Sequence, residues 1–238
     1  MKNLLAIAIA SLLATSCNII SGDWITGNGN VRTEKRNAGD FNSLKTSGSI
    51  DVEISPGSSY SVSVENDDNL LPYVITSVEN GVLNIHYKHG TSVQNDHAKV
   101  YITAPTLEKI ETSGSADITS VGQIKNSQQI TCKVSGSGDI KAELDAPAVD
   151  ASISGSGNID LSGRTKDFTC STSGSGDLNC GGLQSENATV KIMGSGNAHV
   201  FASVHLSAST FGSGDIYYRG SPQNPEIHTA GSGVVQAE

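Results

Sequence analysis

Side-chain oxygens recur at a steady beat through the second half of the chain: Asp117, Asp139, Asn158, Asp177, Asn197 and Asp215 each follow a short glycine phrase. Two chemistries are open to such a column. Stacked oxygen ligands could hold Ca²⁺. A row of carboxylates is also what β-helical polysaccharide enzymes use, because glycoside hydrolysis needs two carboxyls about 5 to 9.5 Å apart. Calcium-binding nonapeptide repeats, however, run at period nine, which this chain does not. Short polar side chains beside a tight turn ordinarily bond backbone amides, and that is the preferred reading. A catalytic site would break a repeat, whereas these acids are the repeat. The expectation is therefore a chain with no catalytic residue, no metal and no cofactor.

Other reaction centres fail on inspection. The sequence contains no Gly-x-Ser-x-Gly elbow, no His-Glu-x-x-His and no Gly-Lys-Ser/Thr phosphate loop. His86, His89, His97, His199, His205 and His228 share no column. The apolar positions do not fall at the six-residue spacing of left-handed acyltransferase helices.

The elements that position the oxygens are turns. The phrase reads Ser-Gly-Ser-Ile-Asp at 47–51, Ser-Gly-Ser-Ala-Asp at 113–117 and Ser-Gly-Ser-Gly-Asp at 135–139. It continues through 154–158, 173–177, 194–197 and 212–215 to Gly231-Ser232-Gly233. The candidate turn glycines are Gly48, Gly114, Gly136, Gly138, Gly155, Gly157, Gly174, Gly176, Gly194, Gly196, Gly212, Gly214, Gly231 and Gly233. From Gly114 the leading glycines step by 22, 19, 19, 20, 18 and 19 residues, a solenoid period.

Before each turn the apolar side chains alternate, as in Ile130, Cys132, Val134 and in Val149, Ala151, Ile153. After it they alternate again, as in Ile140 with Ala142 and Ile159 with Leu161. Period two is the strand period, so each strand has one dry and one wet face. A looser second reversal is expected at Asp145-Ala146-Pro147, Gly163 to Lys166, Gly181-Gly182 and Gly220-Ser221-Pro222. Each period then forms one coil, stacked at about 4.8 Å on the next. A 38-residue coil is the rival, since Cys132 and Cys170 lie 38 apart and the oxygen column alternates Asp with Asn. That alternation equally serves to relieve carboxylate repulsion, and the single coil is preferred.

Residues 1–16 read as an export signal. Met1-Lys2-Asn3 is weakly basic, Leu4 to Ala14 is an apolar run of 11, and Ala14-Thr15-Ser16 precedes Cys17. The run is too short for a permanent membrane helix. It resembles a bacterial lipoprotein signal with Cys17 lipidated, although Leu13 sits four places before the cysteine and not the usual three. The alternative is a plain secretion signal with an incidental cysteine. Residues 17–30 read as a tether.

Residues 31–110 form a less regular β region, with Asn80-Gly81 a hairpin signal and one helical turn expected over Asp67 to Tyr73, ended by Pro72. This region is expected to cap the repeat solenoid of 111–238, because an open end would expose a strand edge. Cys170 and Cys180 flank one turn, and buried free thiols are preferred to a disulfide. The net charge of −9 and the lack of a basic cluster exclude nucleic acid as a partner.

The chain from about Gly29 onward resembles the auto-transporter adhesin head domain, or GIN domain, of Bacteroidetes-type bacteria. The resemblance rests on Ala38-Gly39-Asp40-Phe41 with Ser47 to Val52, and on Tyr60 to Glu65 before Asn69-Leu70-Leu71. It rests also on Val100 to Leu107 and on the Gly-Ser-Gly series. It implies an all-β, right-handed parallel β-helix of two sheets, similar to pectin-lyase-like folds, and a role in adhesion. No catalytic residues come with it. The expected partners are a glycan or protein surface, a membrane through the lipid anchor, and a second copy, since the family is linked to oligomeric adhesins. The expected location is the cell envelope, as an outer-membrane lipoprotein. A polysaccharide-degrading enzyme and an envelope-stress partner are the alternatives.

Overall fold

The computed structural model describes residues 23–238; the signal expected over 1–16, and Cys17, lie outside the described residues. The fold is an all-β solenoid of stacked parallel coils. Alternation produces it directly. In Gln129–Gly136, Ile130, Cys132 and Val134 are fully buried while Thr131 and Lys133 face outward. Burying each such aliphatic side chain contributes about 1.5–3 kcal/mol.

Two ladders run along the stack, one on each side of the Gly-Ser-Gly edge. The leading ladder joins Val82–Tyr87, Ser43–Gly48, Lys109–Gly114 and Gln129–Gly136, and continues to Glu226–Gly231. The trailing ladder joins Lys99–Ala104, Asp51–Pro56 and Ile118–Lys125, and continues to Val235–Ala237. Gly136 pairs with Gly155 and Gly155 with Gly174. One repeat is therefore one coil, and the 38-residue alternative is excluded.

The second reversal stands as expected at Gly220-Ser221-Pro222, between Ile216–Arg219 and Glu226–Gly231, and differs from expectation in earlier coils. Ile140–Gly155 and Ile159–Gly174 are each a single strand of 16 residues. Asp145 still pairs with Arg164, and Ala146 with Thr165, across the presumed turn. Pro147, which has no N–H to give, alone drops out of the ladder. Gly163, at φ +107°, bends the chain at this corner. The Arg164 guanidinium grips Asp145 at 3.0 and 2.8 Å from the neighbouring coil and holds that carboxyl below its usual range.

The N-terminal end is closed by antiparallel strands. Ser61–Asp67 pairs with Lys99–Ala104, Val31–Arg36 with Ser61–Asp67, and Val74–Glu79 with Val82–Tyr87. Asn80 and Gly81 both have positive φ, as the hairpin signal requires. Pro72 lies inside the single 3-10 turn, Leu71–Tyr73, and does not terminate it. The boundary expected at 110 falls within the strand Lys109–Gly114, because 43–56 is itself a coil of the stack. The expected tether also ends in paired backbone, with Asp23–Thr26 parallel to Thr91–Gln94. Behind it, the buried Asp67 carboxylate accepts the Gly29 N–H and meets His97 Nδ1 at 3.0 Å.

Candidate functional site

The Gly-Ser-Gly edge carries the oxygen column predicted from sequence, and its geometry accounts for every member. Oδ1 of Asp51 accepts the Asp117 N–H, Asp117 that of Asp139, Asp139 that of Asn158, and Asn158 that of Asp177. Asp177 then accepts from Asn197, Asn197 from Asp215, and Asp215 from Val234. All these bonds measure 2.6 to 3.0 Å. Each side chain thus bonds the next coil's backbone and not its own turn. Asn158 and Asn197 also give Nδ2 to the carboxylates of Asp139 and Asp177. From Asp139 onward the interleaved amides therefore supply donors between carboxylates, whereas Asp51, Asp117 and Asp139 stack as three acids in a row.

The glycines are positioned by the same stacking. Gly48, Gly114, Gly136, Gly155, Gly174, Gly194, Gly212 and Gly231 have φ between +99° and +146°. At Gly138, Gly157, Gly176, Gly196, Gly214 and Gly233 the limit is space, since a Cβ would lie 1.9 to 2.2 Å from a carbonyl oxygen of the neighbouring coil. Threonines complete the edge from inside. The buried hydroxyls of Thr46, Thr112, Thr172 and Thr210 donate to the carbonyls of Ile50, Ala116, Gly176 and Gly214. Their role was not read from the sequence, where they stand as ordinary members of the apolar column.

Cys132, Cys170 and Cys180 are buried free thiols. Burial pushes the Cys132 pKa up to about 12 and raises the other two as well, which makes all three poor nucleophiles. Among the described residues no group of three or more His, Cys, Asp or Glu is placed to hold a metal ion.

The repeat does break, in two places on the trailing ladder. Thr119 pairs with Lys141 but Gln123 with Glu143, so Ile118–Lys125 carries two extra residues. Asp160 pairs with Asn179 but Ser162 with Gly182, so Leu178–Gln184 carries one. Gly181-Gly182 is thus a bulge inside a strand and not the expected reversal. Both bulges flank the same two coils and frame an open groove of about 490 Å³ on the wet face, lined by Ser120, Lys141, Glu143, Asp160, Ser162 and Asn179. Ser120 Oγ accepts the Glu143 N–H, and Gln123 donates to Glu143 Oε1 at 3.1 Å, which pins the first bulge down. The steps of 22 and 20 among the glycines were the signal for these insertions, although the steps alone do not place them on one face.

Comparison with known proteins agrees with this architecture. The family model for "Putative auto-transporter adhesin, head GIN domain" matches residues 40–222. A solved "putative adhesin" from Bacteroides fragilis is 19% identical with a TM-score of 0.84, covering 90% of this chain and 100% of its own. A "putative adhesin" from Parabacteroides distasonis is 28% identical with a TM-score of 0.70, covering 91% and 100%. A "putative lipid binding protein" from the same organism is 24% identical with a TM-score of 0.75, again covering 91% and 100%. No curated protein matches the chain.

Proposed function

The chain belongs to the family of auto-transporter adhesin head GIN domains, and from that premise we propose that it is a non-catalytic, adhesin-like binding module of the cell envelope, lipid-anchored at Cys17. The observation that carries this reading is the commitment of the repeated acids to the fold. Each carboxylate of the column spends one oxygen on the next coil's backbone. The chain's regular polar chemistry thereby holds the stack together and leaves two long wet faces for contact. A stacked solenoid supplies reach and rigidity, and faces rich in Ser, Thr, Asn, Asp and Lys suit many weak polar contacts.

The test is retention of the purified protein on polysaccharides and matrix proteins, with released reducing ends scored in the same wells. Retention without new reducing ends is the expected result. Glu143 and Asp160, on adjacent coils of the groove, give the enzymatic alternative its one specific support. Reducing ends that vanish with Glu143→Gln or Asp160→Asn would replace the binding module with a polysaccharide hydrolase.

A further inference from the structure

We infer that the groove between the two bulges is a subsite for a neutral glycan chain lying along the stack axis. This rests on the binding-module reading and names its ligand class. Bulges concentrate where a sheet is shaped for a task, and both register breaks of the trailing ladder described above border one depression. Its volume, about 490 Å³, lies within the range of small-ligand sites, about 300–1,000 Å³.

The floor mixes donors and acceptors. Lys141, Asp160, Ser162 and Asn179 make no side-chain hydrogen bond to protein among the described residues, so their polar atoms are available to hydroxyls. Carboxylates and amides accept and donate in pairs, which matches vicinal hydroxyls. Glu143 and Asp160 outweigh Lys141, on a chain of net charge −9, which disfavours a uronate chain. A peptide would want a cluster of apolar anchors, but the exposed Met193 and Phe211 lie on the leading ladder, away from the groove, and among the described residues Val121, in the first bulge, is the one large apolar side chain exposed at its border. From Ile118–Lys125 to Leu178–Gln184 the rows of the floor repeat at the strand spacing, about 4.8 Å, close to the advance per residue of an extended pyranose chain. Successive sugars would meet successive coils.

The test uses the purified protein on immobilised cellohexaose, xylohexaose and mannohexaose, with polygalacturonate and collagen alongside. Lys141→Gln and Asp160→Asn should each weaken retention on a neutral hexasaccharide about tenfold, the loss expected for a hydrogen bond to a charged group. Ser162→Tyr should fill the groove and abolish retention, and Lys133→Gln, on the other sheet, should leave it unchanged. Unchanged melting temperatures would show that the variants fold. If neutral hexasaccharides bind the groove variants as well as the parent, or if only polygalacturonate or collagen is retained, this inference falls and the binding module stands. If nothing is retained, the binding module falls with it.

Discussion

The two edges of each coil both return the chain from one sheet to the other, yet they do it by opposite means. At the Gly-Ser-Gly edge each coil from Gly114 on repeats the same backbone, with a carbonyl such as Gly136 O accepting both Ser156 and Gly157 N–H of the next turn. At the far corner and on the face beside it, the chain uses a proline, an ion pair, or bulges of one and two residues. From Gly136 on, the Gly-Ser-Gly edge sets the pitch and leaves no room for a side chain at its second glycine, where the first two coils carry Ile50 and Ala116, so variation from coil to coil falls to the other. Recognition belongs on the side that can vary.

The largest effect expected from this contrast comes from matched glycine substitutions. Gly157→Ala would drive a Cβ to 2.0 Å from Gly138 O. It should destabilise the protein by about 3 kcal/mol or more, through overpacking against backbone that has nowhere to move. Gly182→Ala, whose nearest neighbour would be the Ser162 Cβ at 3.3 Å, should change stability by no more than about 0.5 kcal/mol. Urea titration of both settles it, and equal costs would abolish the distinction between the edges.

Next in size is Asp139→Ala, which strips the partner from the Asn158 N–H and Nδ2. A loss of about 1.5–3 kcal/mol is expected by urea titration, as for hydrogen bonds to a charged group. Thr172→Val should cost about 1 kcal/mol for the lost bond to Gly176 O. Ile153 and Ile192 occupy the same column without a hydroxyl, so a much larger loss would mean that the edge depends on every threonine.

Much of the regular half was legible because glycine spacing and period-two alternation report backbone and burial directly. What was misplaced has a physical reason in each case. Gly181-Gly182 carries the same chemistry in a bulge as in a turn, and only pairing with Asp160 and Ser162 tells them apart. Asp145-Ala146-Pro147 reads as a break, yet the ladder tolerates one missing N–H. The turn phrase at 47–51 was read, but its coil was not assigned to the stack because its neighbours are distant in sequence, as the 66 residues between Asp51 and Asp117 show. The oxygen column was found, but its acceptors reach into the next coil, which no local pattern encodes. The groove was missed because unequal steps reveal insertions without revealing that they share a face.

The smallest effect belongs to the capped end. The His97 pKa is raised chiefly by its hydrogen bond to Asp67. A raised folded value means that this contribution is fully present below about pH 6.5 and is lost as pH rises through the folded value. The melting temperature should therefore fall slightly on the alkaline side of 6.5, and His97→Gln should flatten that slope. A slope that survives the substitution would assign it to another group.

The stacking order also dictates an order of assembly. Ser43–Gly48 lies between Val82–Tyr87 and Lys109–Gly114, both of which come later in the chain. That coil cannot close until residues through 114 are available, so the costly long loops are all closed at the capped end. Every coil after it needs only the short connection to the one before. The molecule should therefore nucleate slowly at its cap and then lengthen one coil at a time. Removing coils from the far end should shorten it without dissolving what remains.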